Sequence, residues 1–178
     1  MGKWIAVCIL IALLGFAIVT FNDLVIARNR VRTAWADIDV QLQRRHDLIP
    51  QLAATVKGYA AYEQATLTTV TELRSRAQAA ASVQQRGQLE GEVGAHVTQL
   101  LALQERYPEL KASSNFLQLQ HELVDTENRL QAARGDYNES VRVYNTQIES
   151  FPDVLLARVL GFAKLEYFQA EDRQPVKV

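Results

Sequence analysis

Arg44-Arg45-His46-Asp47 is a dense run of ionisable side chains, and Pro50 follows it closely. Two guanidinium groups, an imidazole and a carboxylate side by side could form a recognition patch. The structural use of the same residues is favoured. Asp47 can cap a helix, and Arg45, which falls on an apolar stripe, needs a carboxylate such as Glu122, Asp125 or Glu127, because an unpaired buried charge is very costly. Three imidazoles could hold a metal if they converged. His46, His96 and His121 lie on different predicted helices, however, and His96 reads as a core or boundary position. No metal site is expected. Cys8 lies inside an apolar run, so no thiol nucleophile is available elsewhere. Phosphate-binding glycine loops, the GxSxG elbow and the HExxH zinc motif are absent. No catalytic residue and no cofactor is expected, and an enzyme using Glu and His is the least favoured reading. Tyr137-Asn138 and Tyr144-Asn145 repeat at seven residues, which stacks two Tyr on one helix face and two Asn on the next. Tyr rings can fill a core while their hydroxyls find polar partners at its edge.

The elements that carry these residues read as helices throughout. Val31, Trp35, Ile38, Leu42, Arg45, Ile49, Leu52, Val56 and Tyr59 are spaced alternately four and three, the seam of a helix that buries one stripe. The phase continues through Glu63, Thr66, Val70, Leu73 and Ala77. A second stripe runs Leu89, Val93, His96, Leu100, Leu103, Tyr107. A third and longer one runs from Phe116 through Leu123, Leu130, Tyr137 and Tyr144 to Phe151. No window alternates with period two, so no sheet is expected. Pro108 and Pro152 end stripes, Ser113 or Ser114 can cap the third helix, and Gly87, Gly91 and Gly94 suggest a loop near 82–88. Pro50 admits two readings. A reversal at 47–50, with Asp47 as cap, gives helices over 23–46, 48–81, 88–106 and 114–150. The close alternative is a kinked long helix, since Arg44–Pro50 holds no glycine and no spare loop residues. The expected fold class is all-α, an elongated antiparallel (up-and-down) helical bundle with coiled-coil-like seams, preceded by one N-terminal transmembrane helix.

Trp4 to Asn22 carries no charge. A helix of about 18–20 apolar residues crosses a hydrocarbon core of roughly 30 Å. The run exceeds a signal-peptide core and no small-x-small cleavage site closes it, so an uncleaved anchor is favoured. Cys8 then serves as apolar filler. Arg28, Arg30 and Arg32 after the run, against Lys3 before it, weigh slightly for a cytoplasmic bundle, and the side stays undecided. The expected divisions are an anchor over 1–22, a bundle over 23–150 and an apolar C-terminal segment over 151–178. In that segment Phe151, Leu155, Leu156 and Phe162, with Arg158 and Lys164, form either a short helix folded on the bundle or a surface for a partner or a membrane. Nineteen Lys and Arg balance twenty Asp and Glu, which gives no general attraction to nucleic acid. One cysteine excludes an internal disulfide.

Taken together, the residues resemble the LemA family of bacterial membrane-anchored helical proteins. The likeness rests on Ala34-Trp35-Ala36-Asp37-Ile38-Asp39-Val40-Gln41-Leu42, on Arg44-Arg45-His46-Asp47-Leu48-Ile49-Pro50 and on Val56-Lys57-Gly58-Tyr59-Ala60. It extends to Tyr107-Pro108-Glu109-Leu110-Lys111-Ala112, Thr126-Glu127-Asn128-Arg129 and the two Tyr-Asn pairs. Gln51 departs from the Asn that the family often carries after the proline. The resemblance implies a bacterial inner-membrane protein with a single anchor, an antiparallel bundle, and no established catalytic residue or cofactor. A relative in magnetic bacteria is linked to making intracellular membrane compartments. The expected role is a scaffold or adaptor that contacts lipid through its anchor, self-associates into a homo-oligomer, and organises membrane or recruits a protein partner of unknown identity. The alternative is a membrane-attached sensor that binds an apolar ligand or peptide between its helices, with a cavity near Trp35, Tyr59, Tyr137 and Tyr144. Arg44, Arg45, His46, Asp47, Pro50, Phe151, Leu155, Leu156 and Phe162 are the candidate interaction or structural positions.

Overall fold

The computed structural model describes residues 1–59 and 64–168, with the side chains of 64–66 excepted; Glu63, Thr66 and the tail 169–178 therefore lie outside the account. Helix α1 runs unbroken from Gly2 to Tyr59. Then come α2 (Gln64–Gln78), α3 (Val83–Ala102), a 3-10 turn at Leu103–Glu105, α4 (Pro108–Lys111), α5 (Ser114–Glu149) and α6 (Asp153–Val159). No strand occurs among the described residues.

The reversal at Pro50 is not what the chain does. Pro50 sits exposed inside α1, and Asp47 is an interior helical residue whose carboxylate accepts from Gln43 Nε2 at 2.8 Å. Proline in a helix interior forfeits one backbone hydrogen bond and crowds the carbonyl four residues back. The seam overrides that cost, because Arg45, His46, Leu48, Ile49 and Leu52 are all buried on either side of it. Gln51 uses its longer side chain to donate from Nε2 to the Asp47 carbonyl at 3.1 Å. Lengths agree: residues 23–59 of α1 span roughly 55 Å and the 36 residues of α5 roughly 54 Å, so the two helices match without overshoot. α1 is described to Tyr59 and α2 from Gln64, and the connection between them lies outside the described residues.

Helix α5 runs antiparallel to α1. Arg45 meets Glu127, Trp35 meets Tyr137, and Arg28 and Tyr144 line one groove. α3 runs parallel to α1, since Arg86 reaches Asp39 while Glu90 reaches Arg45. α2 packs chiefly on α3. The loop expected at 82–88 falls earlier. Ser82 caps α3, its hydroxyl accepting from Gln85 N–H at 3.1 Å, and the three glycines lie within the helix. Gly94 faces Arg45, where a Cβ would stand 3.5 Å from Nη1. Pro108 opens α4 at a position where no backbone donor is needed, and Ser113 caps α5.

Two apolar cores result. The distal one joins Ile49, Leu52 and Val56 of α1 to Val70 and Leu73 of α2, Val93, Val97 and Leu100 of α3, and Phe116 and Leu123 of α5. The proximal one, toward the apolar run, joins Leu24, Val31, Ile38 and Leu42 to Leu130, Tyr137, Val141, Tyr144 and Ile148, with Ala157 and Phe168 from the C-terminal segment. The third stripe is buried from Phe116 to Ile148, but Phe151 is 81% exposed, because α5 has already ended. Tyr59 is also exposed, and Trp35 is half-buried. Between Trp4 and Phe21 nearly every side chain is exposed, as a segment long and apolar enough to cross a membrane would be.

Candidate functional site

A layer of charge separates the two cores. Arg45 occupies a seam position on α1 and is only 2% exposed. Its Nη2 donates to the Glu90 carboxylate and, at 3.0 Å, to the Glu90 backbone carbonyl; its Nη1 donates to Glu127 Oε2 at 3.0 Å. Glu90, fully buried on α3, also lies 3.0 Å from His46 Nε2, as an ion-pair contact without hydrogen-bond alignment. Arg134, one helical turn past Leu130, places Nη1 3.6 Å from the other Glu127 oxygen. Burial pushes the Glu90 carboxyl up, yet the His46 imidazole and the Arg45 guanidinium together hold it below its ordinary 4.5. A buried carboxylate held ionised against Arg45 is ill placed to trade protons with a substrate. It serves instead to fix the height at which α1, α3 and α5 meet.

Of the expected partners of Arg45, Glu127 is one. Asp125 instead stands 3.9 Å from the exposed Arg44 and accepts from Arg129, while Glu122 accepts from Gln118. Glu90 was missed. Its signal is in the sequence: Glu90, Val93, Val97 and Leu100 alternate three and four, so a carboxylate occupies a seam position facing the seam arginine. His46 joins the layer, whereas His96 lies at the boundary with Nδ1 2.9 Å from the Glu92 carbonyl, and His121 is exposed. Among the described residues no three His, Cys, Asp or Glu gather into a metal-holding group.

A second polar construction holds the C-terminal strap, residues 162–168. Asn145 donates from Nδ2 to the Leu165 carbonyl and accepts from the Leu165 N–H, both at 2.9 Å. Asn138 does the same to Phe168, at 3.1 and 2.8 Å. Tyr144 Oη donates to the Ala163 carbonyl at 3.0 Å and Tyr137 Oη to the Glu166 carbonyl at 2.9 Å. The seven-residue repeat thereby acquires a purpose. Seven helical residues rise about 10.5 Å, which three residues of extended chain cover at roughly 3.4 Å each. Each Tyr-Asn pair grips the strap three residues from the other. Burial raises the Tyr137 phenol, with Glu166 adding to it, and raises the Tyr144 phenol against the opposing pull of Arg28, so both remain protonated donors. Phe168 ends the described strap beneath the Arg134 guanidinium, 5.0 Å from its ring centre, and beside Trp35.

Beside the strap lies an open groove of about 490 Å³, lined by Trp35, Tyr137, Tyr144, Val83 and Leu165, with Arg28 and Arg32 on its α1 wall. Tyr59 is remote from it, at the far end of α1. Lower still, α6 packs on α1 and α5 through buried Ala157. Leu156 and Phe162 are half-buried there, whereas Phe151 and Leu155 are exposed. The nine candidate positions thus fall in two places. Arg44–Pro50 sits at the charge layer, and Phe151–Phe162 sits at the foot of the bundle beside the apolar run.

The magnetosome protein MamQ of Magnetospirillum gryphiswaldense is 25% identical over 92% of this chain and 70% of its own length. Magnetosome protein MamQ 2 of Paramagnetospirillum magneticum is 24% identical over 93% and 70%. Protein LemA of Metamycoplasma hominis is 27% identical over 88% and 72%. The LemA family model matches residues 34–178, from the middle of α1 through α5 and α6. The chain belongs to the LemA family.

Proposed function

We propose that the chain is a non-enzymatic, membrane-anchored helical scaffold or adaptor that self-associates and organises membrane or recruits partner proteins. The observation that carries this reading is the continuity of α1, in which the apolar run and the bundle are one helix. A hinge between anchor and bundle would let the bundle tumble. A single helix of about 87 Å fixes the bundle to the bilayer and presents its polar faces sideways to neighbours. Confinement to one plane raises the effective concentration of weak lateral contacts. The name of the magnetosome relatives places them at a membrane compartment and supports the membrane-organising part of the reading. Sedimentation of detergent-solubilised full-length protein is expected to give a species larger than a monomer that grows with concentration. A 20.0 kDa polypeptide mass at every concentration would overturn self-association.

A second reading has its own support. The groove beside Trp35, Tyr137 and Tyr144 has the apolar lining and scattered polar groups of a small-ligand site. The adjoining strap demonstrates that this face grips extended main chain. A sensor binding an apolar ligand or peptide there is expected to show quenching of Trp35 emission on titration, lost in Tyr144→Ala.

A further inference from the structure

The alignment of α1 with α5 fixes the height of the C-terminal segment. Each residue up α1 is matched by one down α5, from Arg45 with Glu127 and Trp35 with Tyr137 to Arg28 beside Tyr144. Continued downward, that alignment brings Phe151 level with Phe21, the last apolar residue of the uncharged run. Beyond the other end of α6, Phe162 packs edge-on against Phe21 at 6.1 Å between ring centres and lies beneath the Arg28 guanidinium at 5.1 Å, so it sits between the Phe21 and Arg28 levels. With Phe151 and Phe162 both beside this stretch of α1, α6 lies at the foot of the bundle. Thr20, inside the run, is 4% exposed, so the foot covers the last turn of the anchor itself.

On α6 the buried residue is Ala157, and Leu155 and Val159 lie 200° around the helix on either side of it. They are 59% and 82% exposed and, with Phe151 at 81%, they make an apolar group turned away from the bundle. Around it stand Arg158 and Asp153, and Lys164 pairs with Glu149 at 2.5 Å. An apolar group in water is a liability that folding would hide if nothing else covered it. Here the surface that begins at Phe21 is the bilayer into which α1 descends.

We infer that α6 is a second membrane contact, which seats Phe151, Leu155 and Val159 in the headgroup–acyl boundary of the bilayer that α1 spans. Short amphipathic segments bury their apolar face about 5–10 Å into that boundary. Seated there, α6 fixes the azimuth of the bundle as well as its height, since one helix alone can still rotate about its axis. The inference rests on the anchor reading, and the native Cys8 within the run allows the two to be tested apart.

The experiment uses full-length protein in vesicles of phosphatidylethanolamine and phosphatidylglycerol. Nitroxide labels are placed one at a time on native Cys8 and, with Cys8→Ala as background, on Leu155→Cys, Val159→Cys and Leu117→Cys, the last an exposed site in the distal part of α5. Collision with oxygen, which concentrates in lipid, is compared with collision with a water-soluble nickel chelate. The expected result is an oxygen-to-nickel ratio at 155 and 159 several-fold above that at 117, with Cys8 higher still. Ratios at 155 and 159 equal to that at 117, with Cys8 in lipid, would overturn the inference and leave the anchor standing. Labels at 155 and 159 shielded from both reagents would overturn it in favour of a covering protein copy. A Cys8 label in water would overturn the anchor and the inference with it.

Discussion

The distal and proximal halves of the bundle are held by different means. The distal core is four helices deep, and Leu, Val and Phe from α1, α2, α3 and α5 bury one another without a polar intermediary. The proximal core has only two long helices, and two helices cannot enclose an apolar stripe. A short helix and a strap complete it, and the strap is fastened by six hydrogen bonds from Tyr137, Asn138, Tyr144 and Asn145. Between them the charge layer sets the height of α3 against α1 and α5. The distal half therefore opens only by global unfolding, whereas the proximal half can lose its strap and keep its helices.

The charge layer should give the largest effect. Glu90→Ala leaves Arg45 buried without its main carboxylate, and is expected to cost about 3–5 kcal/mol in denaturant unfolding. Replacing both partners, as Arg45→Met with Glu90→Met, should cost clearly less than Glu90→Ala alone, because the Arg45 guanidinium is no longer left buried without its carboxylate. In the distal core Leu52→Ala, at a fully buried seam position, should cost about 2–4 kcal/mol and act globally. In the proximal half Asn145→Ala removes both bonds to Leu165, an expected loss of about 2 kcal/mol. Hydrogen exchange should show the amides of Leu165 and Phe168 opening at a much lower free energy than those of α3, in the parent chain and further lowered in the variant. Equal opening free energies in the two halves would erase the distinction between them.

Acid should act on the layer. The Glu90 carboxyl is held below its ordinary 4.5 in the folded chain. A depressed carboxyl contributes its full stabilisation above the unfolded value and loses it as pH falls from there through the folded value. Unfolding midpoints of the parent chain should therefore drop below pH 4.5 more steeply than those of the Arg45→Met, Glu90→Met pair. The smallest effect is expected at Pro50. Proline costs about 3 kcal/mol against alanine in a helix interior. Part is returned by the stiffer unfolded chain, by roughly 1 kcal/mol or less. Pro50→Ala should thus stabilise the protein by about 2 kcal/mol or somewhat less, whereas at a reversal it would be neutral or harmful.

Much of the fold is legible because burial imposes a period. The third stripe is buried at every position from Phe116 to Ile148, and the first carries Arg45 into the core, where a carboxylate had to meet it. Breaks are less legible. Pro50 is a strong local signal against a helix, but one lost hydrogen bond is outweighed by the seam residues around it. Beyond Tyr59 the stripe continues in phase through Val70 and Leu73, so periodicity could not register that α1 and α2 are separate helices. Of the candidate site, Glu90 was readable from its own seam phase, and the Tyr-Asn repeat was visible without its purpose. That purpose depends on residues 162–168, whose main chain is gripped irrespective of side-chain type and so leaves no pattern in the sequence.

The central claim, that the apolar run and the bundle share one unbroken helix, can be measured as a distance. Nitroxides at native Cys8 and Val40→Cys, in full-length protein reconstituted in lipid, are separated by 32 residues of α1 and lie on either side of the end of the apolar run. Pulsed dipolar spectroscopy should give one narrow distance of about 48 Å, the rise of that many residues in a continuous helix. A broad spread of shorter distances, as a hinge at the end of the apolar run would give, would contradict it.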